Sequence, residues 1–330
     1  MAFLSCGKDM IFALAVTGPT ASGKTAISID LAKRLDAEII SCDSMQIYKE
    51  MSIGTAKPTE EERAAVPHHM IDFISPKENF SVESYREMAL PIARDIISRG
   101  KLPIFVGGTG LYIDSLMRRP SDSSPKSDPE YRERILSGIK SESDIDALWE
   151  RLNSVDPESA EKIHKNNVKR VIRALEIYES TGKTKTELDR ENKSEGSDIR
   201  IGMITLDFHQ RENLYERVNR RVDVMLEEGL LSEAESLYSA GLLDGETTAS
   251  QAIGYKELIP YLKGEASLTE ALEQLKLSTR RYAKRQLTWF RHESFAARLY
   301  LDGEDGIMKD KKTLLEEAFL LAGELINKYL

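Results

Sequence analysis

Residues 18–25 read GPTASGKT, and they close the unbroken apolar run MIFALAVTG at 10–18. Gly18, Gly23, Lys24 and Thr25 fit the spacing G-x-x-x-x-G-K-[ST]. An apolar run without alternation reads as a strand buried on both faces of a parallel sheet. Apolar residues at 27, 31, 32 and 35 then predict a helix directly after the loop. Glycines let backbone N–H groups crowd round phosphate oxygens, and the helix start points its positive dipole end at the anion. Lys24 adds a full charge, and Thr25 offers a hydroxyl to a magnesium ion. Pro19, Thr20, Ala21 and Ser22 complete the cradle. The loop predicts a phosphate ligand; by itself it does not distinguish ATP from a diphosphate that leaves from carbon.

The same alternation of strand and helix recurs. AEIISCDS (37–44) reads as a second buried strand, and NFSVESYREMALPIARDIISRG (79–100) as a helix capped by Ser81 and closed by Gly100. KLPIFVGGTGLYIDSLM (101–117) repeats strand, glycine turn and helix. This predicts an α/β fold with a P-loop NTPase-like parallel sheet covered on both faces. RRPSDSSPKSDPE (118–130) reads as a linker, 129–192 as helix throughout, and IRIGMITLDF (199–208) as a returning strand. The expected organisation is a core over 1–120 and 197–330, with a helical insertion over 121–196 that contacts RNA. Everything after 208 reads as helix, including a last amphipathic one in 302–330. His68 and His69 read as part of a loop with packing roles rather than as metal ligands.

Strand ends carry the chemistry in such a sheet. Asp43 in CDSMQIY emerges beside the phosphate loop, where a carboxylate serves as magnesium ligand or as general base. Thr109 in GGTGLY stands at the same edge, where a hydroxyl bonds a phosphate or a bridging oxygen. Arg217 and Arg221 are four apart on one helix face and follow the strand ending at Asp207, placed to neutralise a diphosphate. Kinase parts are missing: only Asp43 and Asp207 stand where a magnesium partner would, and no arginine-rich lid appears early in the chain.

Charge patterning adds a second theme. The chain of 330 residues has 46 Lys+Arg against 55 Asp+Glu, a net charge of −9, which in bulk argues against a nucleic-acid partner. Yet residues 162–185 hold seven Lys/Arg against two Glu, and 276–298 hold seven against one. Basic helices with aromatics close by suit phosphate backbones and unstacked bases. Two cysteines, Cys6 and Cys42, permit neither a disulfide framework nor a zinc finger. No apolar run is long enough for a bilayer and no basic n-region precedes the first one, so a cytoplasmic, monomeric protein without an obligate protein partner is expected.

GPTASGKT, DSMQIY, GGTGLY, NVKRVIRALE, AIGYKEL and KRQLTWFR, in this order, resemble the tRNA dimethylallyltransferase family over about residues 10–300. The resemblance implies transfer of a dimethylallyl group from dimethylallyl diphosphate to the exocyclic amine of the adenosine 3′-adjacent to the anticodon. It implies Mg2+ near Thr25, and the tRNA anticodon stem-loop as partner, held in a channel formed by the core and its insertion. Asp43 is similar to the family's general base. Ser44, Met45 and Gln46 would contact the target base and its neighbours, and Thr109 the leaving oxygen or the phosphate. Arg132, the segment Asn167, Val168, Lys169, Arg170 and Val171, the segment Gln251, Gly254, Tyr255 and Lys256, and Lys284, Arg285, Gln286, Thr288, Trp289 and Arg291 would contact tRNA. This chain carries Gln251, Ala252 and Ile253 where family members carry Arg, Cys and Val, so no charge is available at 251. The cysteine count fits a bacterial-type member, without the eukaryotic zinc finger. Two rivals remain on the residues alone: an adenylate prenyltransferase acting on free AMP or ATP, and a P-loop small-molecule kinase. A plain RNA-binding module with a vestigial loop is a third.

Overall fold

The computed structural model describes residues 10–117, 128–194, 197–243 and 247–329. Its described residues divide into two compact units, one of residues up to Met117 and from Asp198 onward, the other from Arg118 to Ser197. The predicted linker lies, over 118–127, outside the described residues.

The first unit is built on six parallel strands in the order β3-β2-β4-β1-β5-β6. They are β1 (Ile11–Thr17), β2 (Ala37–Ser41), β3 (His68–His69), β4 (Leu102–Gly107), β5 (Ile199–Asp207) and β6 (Ala297–Tyr300). Every residue of β1 is buried, which is why it reads as an unbroken apolar run. Its side chains alternate between two cores. Phe12, Leu14 and Val16 pack on one face with Leu31, Leu214 and Leu325. Ile11, Ala13 and Ala15 pack on the other with Tyr85, Ile96 and Ile113. In this part of the chain the layers draw on α1 (Lys24–Leu35), α3 (Val82–Ser98) and α4 (Gly110–Met117), while α2 (Glu60–Ala65) buries no residue.

The second unit holds α5 (Pro129–Gly138), α6 (Glu142–Val155), α7 (Pro157–Lys162), α8 (Val168–Thr181) and α9 (Lys185–Ser194). Leu152, Ala160, Ile163, Val171, Ala174 and Leu175 form its own small core. The buried Glu176 carboxylate is neutralised there by Arg132 at 2.7 Å and Arg173 at 2.8 Å.

The chain then returns to the first unit with α10 (Arg211–Glu227), α11 (Leu230–Ser239), α12 (Ile259–Leu262), α13 (Leu268–Arg291) and α14 (Lys311–Tyr329). A capping box of Ser267 and Glu270 starts α13 and satisfies donors that its first turn would otherwise leave open.

Two expectations are corrected. The region after 208 is not helix throughout, because β6 adds an edge strand beside β5. His68 and His69 are not loop: they pair with Ile39 and Ile40 as the opposite edge, and the His69 ring is hydrogen-bonded to buried Glu38 at 2.9 Å.

Candidate active site

The phosphate loop is shaped by positive φ angles at Gly18 (135°), Ala21 (63°) and Gly23 (88°). A Cβ at Gly18 would lie 2.7 Å from the Leu206 carbonyl oxygen, so β5 presses the loop from behind and only glycine fits there. Ser22 is buried, and its hydroxyl has no hydrogen-bond partner. A buried hydroxyl left unpaired costs about 1–3 kcal/mol, a cost that an anion seated in the loop relieves. Lys24 Nζ donates to Pro19 O at 2.7 Å. Protein surrounds this ammonium on most sides, and desolvation pulls its pKa down to about 7; the Asp43 carboxylate opposes the shift and the Arg221 guanidinium adds to it.

The arginines of α10 face this loop. Arg217 Nε donates to Ala21 O at 2.9 Å. Arg221, one turn later, has its pKa lowered by burial and is steadied chiefly by Asp43. The spacing of four therefore aims both guanidinium groups at one site, as the helix period requires.

Asp43 lies two residues beyond β2, and the ladder between β2 and β4 continues past both strand ends. Cys42 N donates to Val106 O at 2.7 Å, and Thr109 N donates to Cys42 O at 3.1 Å. Gly107 permits this approach, since a Cβ there would sit 2.2 Å from the Cys42 oxygen. Thr109 Oγ1 accepts from Ser44 N at 3.1 Å, and Asp43 Oδ1 accepts from Met45 N at 2.9 Å. The turn bearing the carboxylate is thus pinned to the turn bearing the hydroxyl.

The constellation is one carboxylate facing a lysine, two arginines, a hydroxyl and a loop of backbone donors. Such a site binds an anion and accepts a proton close beside it. Asp207, the other candidate magnesium ligand, is withdrawn from this role. It is buried, bound by Arg291 at 2.7 Å and approached by Arg298 at 3.6 Å. Among the described residues no group of three or more His, Cys, Asp and Glu is placed to hold a metal. Sequence reasoning missed Tyr282. Its hydroxyl lies close to Thr109 and Gln286, and its pKa is pushed up by burial and by nearby Asp43. No motif marked it, because a tyrosine on a basic helix looks like an RNA-stacking residue or like core.

Two family descriptions match the sequence: IPP transferase over residues 46–293, and isopentenyl transferase over 11–72. A curated tRNA dimethylallyltransferase from Acetivibrio thermocellus is 49% identical over 312 residues, covering 94% of this chain and 97% of its own. The chain belongs to the tRNA dimethylallyltransferase family. A second relative of that name, from Halalkalibacterium halodurans, is 46% identical over 96% of this chain and 98% of its own. The crystal structure of the tRNA isopentenylpyrophosphate transferase from Bacillus halodurans superposes with a TM-score of 0.69 at 40% identity, covering 98% of both chains. A eukaryotic dimethylallyltransferase described as acting on tRNA gives 0.75 at 32% identity, over 88% of this chain and 73% of its own. Membership makes this chain a prenyltransferase, and no described helix is long and apolar enough to cross a membrane.

The residues that the tRNA dimethylallyltransferase resemblance offered as RNA contacts fall into two groups. In the second unit Asn167, Lys169 and Arg170 are exposed, and among the described residues neither Lys169 nor Arg170 makes an ion pair. On α13, Lys284, Arg285 and Thr288 are likewise exposed, with Arg285 set over the Tyr282 ring at 5.7 Å. Gln251 is exposed, and Lys256 and Val168 are half-buried. Of these, the exposed Lys169, Arg170, Lys284 and Arg285 make no ion pair among the described residues.

The others are committed internally. Val171 is core, and Arg132 is spent on Glu176. Tyr255 is fully buried, its ring against Gly54 and its hydroxyl on Glu233 at 2.6 Å. Buried Gly254 donates to Glu257. Glu233 also gathers the N–H groups of Ser52, Ile53 and Gly54, which fixes the strand-like turn after Tyr48. Gln46 accepts from Ser41 Oγ and donates to Ala56 O, so it braces that turn. Met45 packs beside the core below it. Trp289 lies on Gly110, where a Cβ would meet the indole at 2.4 Å.

The basic stretches are also less basic than their composition. Lys162, Lys165, Arg173, Lys183 and Lys185 each hold a carboxylate of their own unit. Only part of the counted charge is free to meet phosphate.

Arg291, offered as an RNA contact, acts as a brace in this fold: its fork grips Asp207 and also donates to Phe208 O at 2.9 Å. Arg291→Ala should lower stability by about 2 kcal/mol, since it leaves a buried carboxylate with only the Phe208 N–H and the more distant Arg298. Urea unfolding measures this; an unchanged midpoint together with weakened RNA binding would restore the contact role.

Proposed function

We infer that this chain transfers a dimethylallyl group from dimethylallyl diphosphate to the exocyclic amine of the adenosine 3′-adjacent to the anticodon in tRNAs, releasing diphosphate. One observation carries the reading: the phosphate loop, gripped by Arg217 at Ala21 O, lies beside the Asp43 turn, close enough for the Asp43 and Arg221 charges to act on Lys24. An anion bound by the loop therefore lies beside a carboxylate able to take a proton.

In the proposed reaction the carbon–nitrogen bond forms as the carbon–oxygen bond to diphosphate breaks, and Asp43 accepts the amine proton. An aromatic amine is a weak nucleophile, and a positioned carboxylate contributes about 10²–10⁴-fold. Negative charge gathers on the leaving diphosphate. The loop N–H groups, Ser22, Lys24, Arg217 and Arg221 face it, and preorganised charge of this kind is usually the largest part of catalysis. Thr109, whose hydroxyl accepts from Ser44 N beside Asp43, would bond the leaving oxygen or the phosphate.

Magnesium belongs to the proposal. The donor set suits a hard cation held through substrate phosphates rather than by a protein cage. Thr25, in the first turn of α1, would hold it, and the ion would neutralise charge on the departing diphosphate. The RNA partner is the anticodon stem-loop, whose target base must leave its stack. The exposed Lys169, Arg170, Lys284 and Arg285 supply the phosphate contacts. A cytoplasmic location follows from the substrate.

The test is incubation with undermodified tRNA and dimethylallyl diphosphate, followed by nucleoside mass analysis. A prenylated adenosine from tRNA is expected. Product from free AMP, with none from tRNA, would favour the adenylate enzyme instead.

A further inference from the structure

Gln286 lies on the inner face of α13 and is only 6% exposed. Its Oε1 accepts from Thr20 N at 2.9 Å, and its Nε2 donates to Gly108 O at 2.9 Å. Thr20 belongs to the phosphate loop, and Gly108 precedes Thr109 on the turn after β4. A single side-chain amide thus joins the two segments. A Cβ at residue 108 would sit 2.1 Å from Gln286 Nε2, so glycine is what lets the amide reach that carbonyl.

The linkage runs on to the base. Thr109 Oγ1 receives Ser44 N, and Ser44 follows Asp43. One turn earlier on α13, the Tyr282 hydroxyl lies close to both Thr109 and Gln286. Only an amide serves this position: it accepts and donates at once, and it brings no charge beside an anion. A carboxylate would repel the Gly108 carbonyl and the diphosphate, and an ammonium could not accept from Thr20.

We propose that Gln286 is a positioning residue that fixes the spacing between the diphosphate loop and the Thr109–Asp43 edge, and is not itself a contact to RNA. The proposal rests on the prenyl-transfer reading above. It assigns opposite duties to the two faces of α13: Lys284, Arg285 and Thr288 look outward, and Gln286 with Tyr282 looks into the site.

The experiment compares wild type, Gln286→Met and Tyr282→Phe in steady-state kinetics with tRNA and dimethylallyl diphosphate, alongside tRNA binding as a function of salt. Methionine keeps the length and loses both hydrogen bonds. Misplacement of reacting groups by about 1 Å costs on the order of 10²-fold. Gln286→Met should therefore lower kcat by about 10- to 100-fold and raise the KM for the diphosphate several-fold. The tRNA Kd and its salt slope should stay unchanged. Tyr282→Phe removes one hydroxyl and leaves the fold least disturbed. It should lower kcat about tenfold with tRNA binding intact, and it carries the test if Gln286→Met does not fold. Normal kcat and donor KM in the folded variants overturn the positioning role. So does a weakened tRNA Kd with normal kcat at saturation, which would make Gln286 an RNA contact. If wild type itself yields no prenylated adenosine, the prenyl-transfer reading falls and this inference falls with it.

Discussion

Asp43→Asn is expected to lower kcat by about 10²–10⁴-fold while tRNA affinity stays within about twofold of wild type. Asparagine is the informative substitution. Its Oδ1 still accepts from Met45 N, so the turn that carries residue 43 keeps its hydrogen bond. What disappears is the ability to take a proton. Thr109 stays tied to Ser44 N and to the Cys42 carbonyl, because neither bond uses the residue 43 side chain. Single-turnover kinetics with preformed enzyme–tRNA complex separate the chemical step from binding. A variant with full single-turnover rate would move the proton to another group. A variant that loses tRNA binding along with product would make Asp43 an RNA contact first.

Lys24 gives the second large effect, and a pH signature with it. Its ammonium is held near pKa 7 by desolvation, against an unperturbed value near 10.5. The charged form is the one that grips diphosphate, so donor binding should draw a proton from solution. At pH 8 the free lysine is mostly neutral, and calorimetry in buffers of different ionisation enthalpy should show uptake approaching one proton. Uptake should vanish at pH 6, where the group is already charged. The donor KM should accordingly climb above about pH 7. Lys24→Met should raise that KM strongly and remove the proton uptake.

Stability should move the other way. The folded pKa lies below the unfolded one, so folding disfavours the ammonium. That penalty is fully present below about pH 7 and fades as pH rises towards the unfolded pKa. Lys24→Met should therefore melt higher than wild type at pH 6, and the gain should shrink at pH 9. An unchanged or lower melting temperature at pH 6 would contradict the desolvated environment described for the loop.

The parts of this structure that were legible in sequence are those where a local pattern and its tertiary setting agree. β1 is buried on both faces and therefore reads as one apolar run. Ser81 caps α3 as its position suggests. Arg217 and Arg221 reach the loop because the helix period puts them on one face. The misses have physical causes. β6 has four residues, three of them half-buried, and follows a long helix, so no alternation announces it. β3 is two residues long and exists only because β2 offers it an edge.

The misreadings of the site share a different cause. Composition counts charges without their partners. Arg132, Arg291 and five residues of the first basic stretch looked available, and each holds a carboxylate from a distant or neighbouring turn. Gln286 sits within KRQLTWFR between exposed Arg285 and buried Leu287. A neutral amide flanked by Lys284, Arg285 and Thr288 reads as another outward contact. Only the fold reveals that the 100° step per residue turns it into the site, towards Thr20 and Gly108. Tyr255 and Gly254 were misread similarly: AIGYKEL is a packing motif here, closing Tyr255 over Gly54.

The central claim is that the glycine loop anchors a diphosphate which departs whole while Asp43 receives the amine proton. The direct measurement is a quenched time course with undermodified tRNA and dimethylallyl diphosphate, scoring prenylated adenosine and free inorganic diphosphate in the same samples. Equal amounts of the two at every time point are the predicted result. Orthophosphate in place of diphosphate, or phosphoryl transfer to any acceptor, would contradict the account.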